Sequence, residues 1–165
     1  MIDELKRIEK SIFKISNLKI TNLLNEKECE EYLGFNFCLN QLNIKFRKAK
    51  ITPKKVGQFV TLWRRNSNKE TEPFTAKDNF DFYIIVTEQD DEFGFFFFPK
   101  LALSKNQILT TNEKVGKRGF RVYPDWTKTE NKQAEKTKSW QCEYFINLNN
   151  EVESIQKFNL ILNSD

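Results

Sequence analysis

The strongest constraint on the fold of this chain lies in its middle. Two apolar runs, Phe80-Asp81-Phe82-Tyr83-Ile84-Ile85-Val86 and Phe93-Gly94-Phe95-Phe96-Phe97-Phe98, are separated by the acidic Glu88-Gln89-Asp90-Asp91-Glu92. Short runs of aromatic and β-branched residues on either side of a charged turn predict a β-hairpin. Neither run alternates cleanly with polar residues, so both strands need cover on two faces and must be central in their sheet. At 165 residues the chain has about the length of one domain, and roughly two-thirds of its unfolded surface can be buried. We expect a single domain over residues 1–165, with sixteen Phe, four Tyr and three Trp making its interior aromatic.

The flanking segments supply the cover. Leu5, Ile8, Ile12 and Ile15 recur at spacings of three and four, predicting an amphipathic helix to about Lys14. A second helix is expected from Asn25 to Leu33, with Asn25 as cap, Glu28 three residues on and Gly34 as left-handed terminator. Phe35, Phe37 and Leu39, then Ile44 and Phe46, alternate on either side of Asn40–Asn43 as a hairpin would. After Pro53, Val56–Trp63 reads as a third strand running into Arg64-Arg65, and 66–77 as an exposed polar loop. Leu101–Lys105 reads as a helical turn and Gly119–Pro124 as a short strand. Thr127 with Glu130 forms a capping box for a helix toward Tyr144, and Asn150 with Glu153 caps a last helix. Its apolar stripe would be Val152, Ile155, Phe158 or Asn159, and Leu162. This order predicts an α+β fold: a mixed, mostly antiparallel central sheet with helices from the N- and C-terminal ends packed on it.

The composition excludes several chemistries. The chain has no histidine, which removes His general acid/base catalysis, Ser-His or Cys-His nucleophiles and most catalytic zinc sites. Cys29, Cys38 and Cys142 are odd in number and form no C-x-x-C pair, so neither disulfides nor zinc are expected. All three are read as reduced, with Cys38 and Cys142 in or near the core. No apolar run approaches the roughly 20 residues of a membrane span. Met1–Lys6 is acidic and amphipathic rather than signal-like, so a cytosolic location is expected. No cofactor, metal ligand or catalytic residue is assigned.

Charge is segregated along the chain. Asn43–Arg65 holds eight cations and no acid, Asn66–Glu92 eight acids and two cations, and Phe93–Lys128 seven cations and two acids. Rings are interleaved with the cations in Phe59…Trp63-Arg64-Arg65 and Lys117-Arg118-Gly119-Phe120-Arg121-Val122-Tyr123-Pro124-Asp125-Trp126. Cations meet phosphates and rings stack on bases, so this mixture suits a nucleic-acid surface. It equally suits strands with solvated ends, and the acidic segment could fold back and neutralise the basic ones.

The stretch Ile51–Arg65, then Asp78…Asp81-Phe82-Tyr83-Ile84-Ile85, then Gly94–Lys100, resembles the MepB-like family. The likeness continues through Gly116–Trp126 and Gln133-Ala134…Lys136-Thr137…Trp140-Gln141…Tyr144-Phe145. It spans about Lys45 to Phe145. The resemblance implies a bacterial cytoplasmic protein of a family named from a gene beside a multidrug efflux pump and its regulator, with no established reaction. It also implies kinship of fold with DNA-handling domains of restriction-type enzymes. Lys138 stands where the family's Trp-Gln segment would carry Gln.

Three functional readings follow. The first is a non-catalytic module for DNA or RNA. In it Lys50, Lys54, Lys55, Arg64, Arg65, Lys100, Lys117, Arg118 and Arg121 contact phosphates, and Trp63, Tyr123 and Trp126 stack on bases. The second is an accessory that binds a small anionic or aromatic ligand, or another protein, through Trp63, Phe96, Tyr123 and Trp140. The third is a metal-dependent nuclease using Asp78, Asp81, Glu88, Glu92 and Lys100. A restriction-type core, however, needs an acid two residues before the lysine, where this chain has Phe98.

Overall fold

The computed structural model describes residues 1–164. Helix α1 (Asp3–Ile8) continues into a π-helical turn (Glu9–Phe13) and leads to β1 (Ile20–Asn25), a 3-10 segment (Lys27–Tyr32), β2 (Phe35–Leu39) and β3 (Leu42–Lys48). Four short strands follow: β4 (Lys50–Ile51), β5 (Gln58–Thr61), β6 (Trp63–Arg65) and β7 (Thr71–Pro73). The two aromatic runs form β8 (Phe82–Gln89) and β9 (Glu92–Pro99). The chain ends with α2 (Lys100–Lys105), β10 (Gly119–Val122), α3 (Lys132–Cys142), β11 (Phe145–Asn147) and α4 (Glu151–Leu162).

The fold is α+β. The main sheet runs β1-β2-β3-β8-β9-β11, with β3–β8 its single parallel pair. Beside it lie a three-stranded sheet, β10-β5-β4, and the β6-β7 ribbon. Because successive side chains on a strand point to opposite faces, β9 divides its rings between two cores. Phe93, Phe95 and Phe97 join Leu5, Ile12, Phe13 and Phe158 beneath the terminal helices. Phe96 and Phe98 join Val60, Leu62, Phe120, Val122 and Leu103 beneath the small sheet. Rings stack at 4.1 Å (Phe82–Phe97) and 4.5 Å (Phe97–Phe158) in the first core, and with the second core on the other face both strands are covered on two faces, as their apolar runs require. Among the described residues no helix is long and apolar enough to cross a membrane.

Gly94 shows how tightly β9 and β11 approach: a Cβ there would lie 2.5 Å from Phe145 Cζ and 2.6 Å from the Ile146 carbonyl oxygen. Gly94→Ala is therefore expected to lower unfolding free energy by about 1–3 kcal/mol, the usual cost of overpacking. Urea denaturation checks this, with an unchanged midpoint as the contrary result.

Several local expectations are corrected. Asn25 ends β1 and caps nothing; the next turn is 3-10, kinked at Cys29, and its left-handed residue is Leu33 (φ 51). Gly34 is needed instead for close approach, since a Cβ there would sit 2.7 Å from Cys29 Cβ. The reason is Glu26. Its extended backbone sends the carboxylate inward to Lys45 Nζ (2.8 Å) and to the fully buried Arg47, which an α-helix from Asn25 would not do. Val56–Trp63 splits at Leu62, because β5 pairs with β10 while β6 pairs with β7 inside the expected loop. The cap of α3 is Asn131, which accepts from Ala134 N at 2.8 Å; Pro124–Thr127 closes as a turn instead. The helix ends at Cys142, short of Tyr144, and Phe145–Asn147 pairs with β9. Asn150 caps α4 by accepting from Glu153 N, but in its stripe Val152 is exposed and Ile161 is buried; in the first stripe Ile15 is exposed. Cys29 is the buried cysteine, whereas Cys38 and Cys142 are half-buried; all three are free.

Candidate nucleic-acid interface

Strand β10 has β5 on one side only, and α3 closes its other edge with a side chain. Gln141 is fully buried; its Oε1 accepts from Tyr123 N and its Nε2 donates to the Arg121 carbonyl oxygen, both at 2.9 Å. The amide thus takes the place a neighbouring strand's peptide would occupy. This seats α3 beside the small sheet and leaves a cleft of about 480 Å³ between them. Its walls include Lys54, Lys55, Lys117, Arg121, Tyr123 and Trp140, with Glu130 as the one acid.

Arg121 organises the cleft more than it is free to bind. Its Nη2 donates to Thr52 Oγ1 at 2.7 Å, and its Nη1 lies 3.4 Å from the Val56 and Gly57 carbonyl oxygens. The loop carrying Lys54 and Lys55 is fixed by these bonds. It turns at Gly57 (φ 84), where the Tyr123 ring sits so close that a Cβ would meet it at 2.7 Å. Lys54, Lys55 and Lys117 are exposed and make no ion pair among the described residues.

Of the twelve residues read from the sequence, the cleft gathers Lys54, Lys55, Lys117, Arg121 and Tyr123. The others lie elsewhere, several of them neutralised. Lys50 pairs with Glu31 at 3.2 Å over the Tyr32 ring. Arg64 is held by Asp78 and by Glu72 (3.0 Å), and Arg65 by Glu28 (3.3 Å) while it covers Trp63. Lys100 donates to the Asp78 carbonyl oxygen and lies over Phe80. Trp126 packs edge-on to Phe145, its Nε1 donating to Gln89 Oε1 at 3.2 Å. Arg118 is exposed, its Nε donating to the Thr71 carbonyl oxygen at 3.1 Å. The acidic segment does fold back, and it neutralises Arg64 rather than the cleft.

Trp140 and Asn131 join the cleft without having been assigned to phosphate or base contact; their helix reads in sequence as a cover for the sheet. Phe96 is interior, and Trp63 lies in a different cavity from Tyr123 and Trp140, so the four rings considered for a single ligand pocket do not meet. Asp78, Asp81, Glu88 and Glu92 are also apart, bonded respectively to Arg64, Asn43 N, Lys48 and Asn149. Among the described residues no three acids or cysteines gather as a metal site. Lys138 donates to the carbonyl oxygens of Asp125 (3.1 Å) and Thr127 (2.6 Å), holding the turn before α3.

A model of the MepB-like family matches residues 26–147. The crystal structure of MepB is similar at a TM-score of 0.79 and 34% identity, covering 91% of this chain and 99% of that one. The structure of a bacterial homing endonuclease, I-Ssp6803I, gives a TM-score of 0.46 and 14% identity over 98% of this chain and 93% of that one. No curated protein matches the chain.

Proposed function

The chain belongs to the MepB-like family, and from that footing we propose that it is a non-catalytic, cytoplasmic nucleic-acid-binding module whose phosphate contacts lie in the cleft between β10 and α3. One observation carries this reading: Lys54, Lys55 and Lys117 converge on one concave surface without carboxylate partners. Cations left unpaired in a cleft raise the local anion concentration, which suits an anionic ligand. Tyr123 and Trp140 on the same walls add ring faces for bases.

Fluorescence anisotropy of labelled single-stranded DNA, duplex DNA and RNA, titrated at several salt concentrations with and without Mg²⁺, tests the reading. Micromolar or tighter binding that falls linearly with salt on logarithmic axes is expected, through counterion release. Absence of binding at low salt would overturn it. Binding of mononucleotides alone would replace it with a small anionic ligand.

A further inference from the structure

Ile51 and Gln58 face each other in the β4–β5 ladder, and the loop between them, residues 52–57, carries Lys54 and Lys55 to the cleft wall. Because the ladder closes beneath it, this loop can swing about Gly57 (φ 84) without breaking a strand pair. Arg121 supports it from below. The residue lies opposite Phe59 in the β10–β5 ladder, with its guanidinium carbon 5.9 Å from the centre of that ring. Phe120 and Val122 on either side of it are buried in the second core, so Arg121 stands on the outer face of the small sheet.

Arg121 is poorly matched to the partners it has. Arg47, Arg64 and Arg65 all meet carboxylates: Glu26, the Glu72 and Asp78 pair, and Glu28 respectively. Arg121 is half-buried yet makes no ion pair among the described residues. Its acceptors are neutral. Thr52 Oγ1 is close at 2.7 Å, but the Val56 and Gly57 carbonyl oxygens are 3.4 Å away, past the roughly 3.2 Å limit of a good N–H···O bond. A guanidinium bonds phosphate oxygens at shorter range and about twice as strongly as it bonds neutral acceptors. An anion in the cleft therefore displaces the two carbonyls from Nη1, and Lys54 and Lys55 on the loop share that anion with the arginine beneath.

We propose that residues 52–57 form a strap that closes on a phosphate group bound in the cleft. Arg121 Nη1 exchanges the Val56 and Gly57 carbonyl oxygens for phosphate oxygens, Nη2 stays seated on Thr52, and Lys54 and Lys55 come down on the same group. The strap rests on the cleft reading and gives that site a moving part. Its closed state is favoured by the ligand because the clamp of Arg121 with both lysines exists only there.

Amide hydrogen exchange of residues 52–57 tests the strap, with the protein alone, saturated with sodium tripolyphosphate, and saturated with a single-stranded oligonucleotide. Either anion is expected to slow exchange in the strap about tenfold and to leave the β8–β9 amides unchanged. Arg121→Lys keeps the charge but lacks the fork that holds Thr52 and a phosphate together. It should weaken anion binding about tenfold, keep the salt slope of the parent and abolish the slowing. Thr52→Val should speed strap exchange in the protein alone while the anion still slows it. Unchanged β8–β9 exchange certifies the fold of each variant. Anion binding without slowing at 52–57, equal slowing in Arg121→Lys, or no effect of Thr52→Val would overturn the strap and leave the cleft standing. Failure of both anions to bind would overturn cleft and strap together. Binding and slowing by tripolyphosphate alone would keep the strap and overturn the nucleic-acid reading.

Discussion

Replacing Lys54, Lys55 and Lys117 together by alanine is expected to lower affinity for a single-stranded oligonucleotide about a hundredfold at low salt. Each exposed cation is worth about 1 kcal/mol against a phosphate under those conditions, and three sum to about 3 kcal/mol. The salt dependence should change with the affinity. Each lost single-strand phosphate contact removes about 0.7 from the slope of log K against log salt, so the slope should become shallower by about 2. All three lysines are exposed and unpaired, so stability should stay within about 0.5 kcal/mol of the parent. Anisotropy titrations at four salt concentrations give both numbers. Equal slopes for parent and variant would place the phosphates elsewhere. Arg64, Arg65 and Lys50 already have carboxylate partners, so neutralising them should cost much less.

Glu26→Ala is expected to be the most damaging single change to stability. It leaves the buried Arg47 and the largely buried Lys45 facing one another without a counter-charge, and breaking such a cluster costs about 3–5 kcal/mol. That is a large part of the usual total of about 5–15 kcal/mol. Burial pushes the Glu26 carboxyl up, but Arg47 and then Lys45 outweigh it and hold the group below its ordinary range. Below that ordinary value and above the folded one, the unfolded chain binds the extra proton. The contribution of Glu26 is therefore fully present near neutral pH and is lost as pH falls through the carboxylate range. Lys45 behaves in the opposite sense to a simple ion pair. Its burial lowers the ammonium pKa, and Glu26 only partly restores it. Urea midpoints from about pH 7 to about pH 3 should converge for parent and Glu26→Ala at the acid end. A constant gap across that range, or none at pH 7, would show that Glu26 does not hold the cluster.

The central hairpin was legible because its constraint is local: consecutive apolar residues with no polar face admit few structures other than a doubly covered strand. The caps of the last helix were legible for the same reason, Asn150 and Glu153 being three residues apart. The 3-10 segment was not, because the chain there follows Glu26 toward Lys45 and Arg47, 19 and 21 residues on. Strand β11, three residues long, shows no strand pattern of its own and is fixed by pairing with β9 beside Gly94. At the candidate interface, runs of cations identified the basic segments, but sequence does not reveal which cations meet acids. Arg64 and Lys54 look alike in the chain; Asp78 and Glu72 distinguish them in space. Gln141, which seats the whole cleft, stands in the Trp140-Gln141 pair that carries the family resemblance, but its role is not readable from the chain, since its partners are backbone atoms 18 and 20 residues away.

The parallel β3–β8 pair has a kinetic corollary. Its register joins Ile44 to Phe82, and the connecting segment contains β4 to β7, including the loop with Lys54 and Lys55. Closing so long a connection loses chain entropy before any ladder bond repays it, whereas the β8–β9 hairpin needs only a tight turn. Hairpin formation can therefore run ahead while the crossover waits for β3 to dock. The lysine loop lies within that crossover, and a partly refolded chain would own its aromatic centre before the segment that carries the loop is held at both ends.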